Sequence, residues 1–94
     1  MVETYKNFIN GEWVKCVSGK TAKSVNPATL EVLGLFQDSS AEDVNVAVDA
    51  AKGAFEKWSD MPAPKRGNIL FKVAELLKVE KEKLARLLTM EMGK

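Results

Sequence analysis

Histidine is absent from this chain, and cysteine occurs once, at position 16. The first absence removes the side chain most often used as a general base and as a metal ligand. The second excludes an internal disulfide and any cysteine-rich zinc site. Ser–His and Cys–His nucleophilic pairs are excluded as well. No run approaches the roughly 18 apolar residues of a membrane span. Met1-Val2-Glu3-Thr4-Tyr5 lacks the basic and apolar pattern of a secretory leader, so the expected location is cytoplasmic. Neither sign of charge dominates: 14 basic residues face 13 acidic ones, for a net charge of +1. That balance gives no strong attraction to nucleic acid or to an anionic membrane. The six glycines, at 11, 19, 34, 53, 67 and 93, are too scattered to form either glycine-rich phosphate-binding pattern.

What is present is an ordinary globular composition, 46% hydrophobic and 29% charged over 94 residues. A chain of this size buries roughly 60–70% of its unfolded surface, enough for one modest core. Its character changes near residue 40. The first part is rich in Val, Thr, Ser, Asn and Gly and reads as strands and turns. The second is rich in Ala, Leu, Lys and Glu at helical spacing. With no internal repeat and no Gly/Ser linker, residues 1–94 form one folding piece of α+β class. A small antiparallel β-hairpin sheet, about residues 7–36, precedes two to three amphipathic helices, about residues 40–92.

Asn10-Gly11 lies between two β-prone runs, Asn7-Phe8-Ile9 and Glu12-Trp13-Val14. This is the strongest local hairpin signal, because a type I′ turn needs positive φ at both central positions. It sets Ile9 opposite Glu12, and Phe8 opposite Trp13 in a pair where side chains come closest. Ser18-Gly19-Lys20 predicts the next turn and Thr21–Val25 a third strand. Asn26-Pro27-Ala28-Thr29 breaks that strand, since proline lacks a donor and restricts its predecessor. Val32–Phe36 reads as a fourth strand, interrupted by Gly34.

Ser40-Ala41-Glu42-Asp43 reads as a capping box with Ser40 at the N-cap. Val44, Ala47, Val48, Ala51, Phe55 and Trp58 then share one helix face. Met61-Pro62-Ala63-Pro64 ends this helix, and Pro64 suits the first turn of another. Ile69, Leu70, Val73, Ala74 and Leu77 form the next stripe, which lapses at Glu80 and Lys81 and resumes at Leu84, Leu87 and Leu88. Two forms fit: a long helix with an exposed middle turn, or a break near Val79–Glu80. The break is favoured because it lets both stripes turn toward one core. Gly93 suits the residue that ends the last helix. This period predicts burial of Val48, Phe55, Val73, Leu77, Leu84 and Leu88, with Asp49, Glu56, Lys72 and Glu82 exposed.

Few residues invite a chemical reading. A nucleophilic thiol needs a lowered pKa or an adjacent base, and Cys16 has only Lys15 beside it, so it reads as an inert small side chain. The mixed-sign run from Lys78 to Lys83 reads as a solvated helix face. Lys65-Arg66 sits at a helix start, where the macrodipole disfavours positive charge. It reads as plain surface charge, with an external anion or carboxylate partner as the other option. Trp13, Phe55 and Trp58 form no ladder for stacking bases and read as core or interface anchors.

Taken in order, these segments resemble a known family. Phe8-Ile9-Asn10-Gly11-Glu12-Trp13 followed by Ser18-Gly19-Lys20-Thr21 is similar to the opening hairpin of the NAD(P)-dependent aldehyde dehydrogenases. Val25-Asn26-Pro27-Ala28-Thr29 with Glu31-Val32 resembles their next strand and turn. Ser40-Ala41-Glu42-Asp43-Val44 with Ala47, Ala50, Ala51 and Phe55 resembles their first long helix. Arg66 with Leu70, Ala74, Glu75, Leu76 and Leu77 resembles the second, and Leu84-Ala85 with Met90-Glu91-Met92-Gly93-Lys94 the third. The likeness runs from Asn7 almost to the end of the chain. One departure is Leu30, where members often carry glycine, and leucine disfavours a positive-φ turn.

The resemblance implies an α/β parent in which residues 1–94 form the N-terminal part of the cofactor-binding domain. That parent oxidises an aldehyde to a carboxylate. A cysteine thiolate attacks the aldehyde, hydride passes to NAD or NADP, and the thioester is hydrolysed. The family's catalytic cysteine, general-base glutamate, oxyanion-stabilising asparagine and phosphate-binding helix all lie beyond residue 94, and Cys16 does not match the catalytic position. No catalytic, cofactor-binding or metal-binding residue is therefore assigned within the chain, and no cofactor is expected on the segment alone. In some members a backbone carbonyl just before the Val-Asn-Pro motif, here that of Ser24, helps hold a structural alkali cation whose other ligands would lie off this chain. The implied partner is the remainder of the parent polypeptide, itself a homo-oligomer, with no nucleic acid and no membrane. The alternative is a complete, small, non-enzymatic interaction module derived from that ancestry. The fragment reading is preferred because the chain stops just past a helix with no closing element.

Overall fold

The computed structural model describes residues 2–94. In chain order they form β1 (Asn7–Ile9), β2 (Glu12–Val14), β3 (Thr21–Val25), β4 (Val32–Gln37), α1 (Ala41–Asp60), α2 (Ala63–Val79) and α3 (Lys81–Met92). Asn10 and Gly11 take φ values of 54° and 77°, the two positive values that a type I′ turn requires. The register follows from that turn: Asn7 faces Val14, Phe8 faces Trp13 and Ile9 faces Glu12. The Phe8 and Trp13 rings lie 4.9 Å apart at 58°, an attractive tilted arrangement.

β3 and β4 form a second antiparallel pair, separate from the first. The chain leaving β2 does not extend a ladder because side chains take its donors. Cys16 N–H donates to Gln37 Oε1 at 2.9 Å and Val17 N–H to Asp43 Oδ1 at 3.0 Å. Pairing in the second sheet runs from Thr21 opposite Gln37 to Ser24 opposite Gly34, then shifts so that Val25 faces Val32. Gly34 does not interrupt β4, contrary to the expectation from sequence. It is there because the Tyr5 ring lies on it: a Cβ at Gly34 would stand 2.8 Å from Tyr5 Cε2. Tyr5 also stacks on Phe36, with centroids 5.1 Å apart at 14°. Residues 3–5 run parallel to β4, with Tyr5 N–H donating to Leu35 O and Leu35 N–H to Glu3 O.

Asp43 reaches back to the backbone N–H of Ser40 at 2.8 Å, so α1 begins where the capping pattern placed it. It ends at Met61, whose N–H bonds Trp58 O, ahead of Pro62. Pro64 falls in the first turn of α2. The break between the last two helices lies at Glu80, with φ −93° and ψ 8°. Its N–H still reaches Leu76 O and its carbonyl accepts from Leu84 N–H, so the turn is a tight joint within a helical path. Gly93, at φ 78°, closes α3.

Burial departs from the expectation. Val48, Phe55, Val73, Leu77, Leu84 and Leu88 are all exposed, as are Asp49, Glu56, Lys72 and Glu82. Among the described residues Cys16, 4% exposed, is the only hydrophobic side chain that is buried. Burial therefore does not separate the apolar face of each helix from its polar face, because no second layer covers the stripes. The molecule measures 47 × 34 × 19 Å, and its radius of gyration is 16.8 Å, against about 13 Å for a compact chain of this length. The molecule is thin in one direction, and large apolar side chains of all three helices are exposed.

Candidate functional site

The best-ordered cluster of polar chemistry joins the β2–β3 loop to the start of α1. Asp43, only 7% exposed, is its centre. One carboxylate oxygen accepts from Ser40 N–H at 2.8 Å and from the Ser40 hydroxyl at 3.2 Å; the other accepts from Val17 N–H at 3.0 Å. The backbone donors of Ser40 and then Val17 hold its pKa below the ordinary value of 3.8, against the opposing pull of burial. Gln37 completes the cluster, accepting from Cys16 N–H and donating from its amide to Tyr5 O at 2.9 Å. The capping half of Asp43 was legible in sequence. Its bond to Val17, and both bonds of Gln37, span more than twenty residues and had no local signal.

Cys16 lies inside this cluster. Its thiol points to Lys20 O at 3.2 Å and lies 3.6 Å from the Ser18 hydroxyl. Buried, with the Lys20 carbonyl and the Ser18 hydroxyl as its polar neighbours, it is a packed side chain of this cluster. Ser24 stands at the far end of β3, where its hydroxyl donates to Glu91 of α3, 2.8 and 2.7 Å from the two carboxylate oxygens. Gly93 rests on the adjoining turn, where a Cβ would meet Pro27 Cγ at 2.8 Å. These contacts tie the end of α3 to the β3–β4 turn. Among the described residues, no three His, Cys, Asp or Glu side chains converge as a metal site.

Phosphate groups bind readily at free helix N-terminal amides, and the helix starts of this chain are engaged by its own groups. Here the Asp43 carboxylate already stands at the N-terminus of α1. The Lys65 and Arg66 amides at the start of α2 donate to Pro62 O at 3.0 and 3.1 Å, and α3 begins in the joint at Glu80.

What the chain does present is exposed apolar surface. Trp13 (66% exposed) and Phe55 (64%) are not core residues, which overturns the core reading for both. Val73, Leu76, Leu77, Glu80, Lys83 and Leu84 line a hollow of about 320 Å³ in the elbow of α2 and α3. Arg66 is half-buried, and its Nε is enclosed without a hydrogen-bond partner. A buried donor left in this state carries a desolvation cost.

The aldehyde dehydrogenase family model matches residues 13–94. Malonate-semialdehyde dehydrogenase 2 of Geobacillus kaustophilus is 52% identical over 93 residues, which is 99% of this chain but 19% of that protein. The NAD-dependent aldehyde dehydrogenase of Sinorhizobium meliloti superposes on the whole chain with a TM-score of 0.93 at 36% identity, again over 19% of its own length. The NAD+ complex of the Bacillus cereus aldehyde dehydrogenase covers 93% of the chain at 39% identity, with a TM-score of 0.87. The chain thus spans about a fifth of the length of the curated relatives it matches. The order of its motifs, its fold and these likenesses agree: the chain belongs to the aldehyde dehydrogenase family.

Proposed function

We propose that residues 1–94 are the N-terminal structural part of the cofactor-binding domain of an enzyme that oxidises an aldehyde to a carboxylate with NAD(P)+. The curated relatives, several of them malonate-semialdehyde dehydrogenases, point to a short acidic aldehyde as substrate. In this reading the segment supplies no nucleophile, no base and no cofactor contact. It supplies a hairpin, a second strand pair and three helices whose apolar faces are covered by the remainder of the polypeptide. The parent is cytoplasmic and homo-oligomeric. The observation that carries the proposal is the family likeness over nearly the whole chain, joined to a fold whose helix stripes are open and whose Arg66 Nε lacks a partner.

The experiment is a graft. This chain replaces the matching segment of the Geobacillus kaustophilus relative, and malonate semialdehyde oxidation is followed by NADH absorbance. The chimera is expected to keep kcat within a few-fold of the parent, and Cys16→Ser to leave that rate unchanged. The isolated 94-residue chain is expected to show no aldehyde-dependent NAD(P)H formation. Activity in the isolated chain, or its loss in a folded Cys16→Ser chimera, would overturn the scaffold reading.

A further inference from the structure

We draw no further inference here: the strongest candidate, the apolar hollow in the elbow of α2 and α3 around Val73, Leu76, Leu77 and Leu84, carries nothing beyond the proposed scaffold role, because nothing in the structure shows what covers it.

Discussion

Leu30 sits at φ 66°, a left-handed conformation in which a side chain costs about 1–2 kcal/mol. The turn holds it there by local bonds. Asn26 N–H donates to Glu31 O at 2.9 Å, Leu30 N–H to Asn26 O at 2.8 Å, and Ala28 N–H to Asn26 Oδ1 at 2.9 Å. The departure from glycine therefore leaves the turn intact and strained. Leu30→Gly is expected to stabilise this turn by about 1 kcal/mol, read as roughly fivefold slower exchange of the Asn26 and Leu30 amides in the grafted enzyme. Unchanged or faster exchange would show that the strain is already relieved. Asp43 gives a second residue-scale prediction. Its pKa is lowered on folding, so its contribution to stability is fully present above 3.8, the ordinary value, and is lost as pH falls through the lower folded value. Asp43→Asn should destabilise the loop around Val17 at neutral pH, and the gap between variant and native chain should close in acid below pH 3.8. A gap independent of pH would assign the effect to shape instead of charge.

At the scale of elements, the hairpin and the second sheet are each short, and side chains hold them to the rest. β4 is flanked by β3 on one side and by residues 3–5 on the other, and the Tyr5 ring closes over Gly34. Gly34→Ala would place a methyl group inside that ring's contact distance. The expected cost is about 1–3 kcal/mol, with loss of the Tyr5–Phe36 stack visible as reduced near-ultraviolet dichroism. A variant with native dichroism and native stability would mean that the N-terminal stretch moves aside freely. The α2–α3 joint follows a related logic. The stripe lapses where Glu80 and Lys81 occupy the positions that would continue it, and the helix turns there. The turn sets Val73 and Leu77 against Leu84 around one hollow.

For the whole molecule, the deciding fact is that large apolar side chains on all three helices remain exposed. Contiguous apolar surface beyond a few hundred Å² marks an interface. The pure 94-residue chain is therefore expected to self-associate or to adopt a loosely packed state, while the same segment is well ordered in the grafted enzyme. Sedimentation and near-ultraviolet dichroism through Trp13 and Trp58 check this. A monodisperse monomer with strong aromatic dichroism and cooperative unfolding would show that these residues suffice as an independent domain. It would also weigh toward the interaction-module reading.

The sequence by itself determined the features whose causes are local. Asn10-Gly11 set the hairpin and its register because φ is positive at two adjacent positions. Ser40 and Asp43 set the start of α1 because one side chain reaches one exposed amide. Pro62 and Glu80 marked the helix boundaries through a missing donor and a lapsed stripe. Ordered along the chain, the same segments sufficed to identify the family. Only the tertiary structure decided what lies on the apolar faces and which distant groups meet. Periodicity states that Val48 and Leu77 share a face with other apolar residues, but burial requires a second surface, and this chain does not fold one over them. The bonds from Gln37 to Cys16, from Asp43 to Val17 and from Ser24 to Glu91 join positions 21, 26 and 67 residues apart. Such pairs form because the backbone brings them together, and no spacing rule along the chain encodes them.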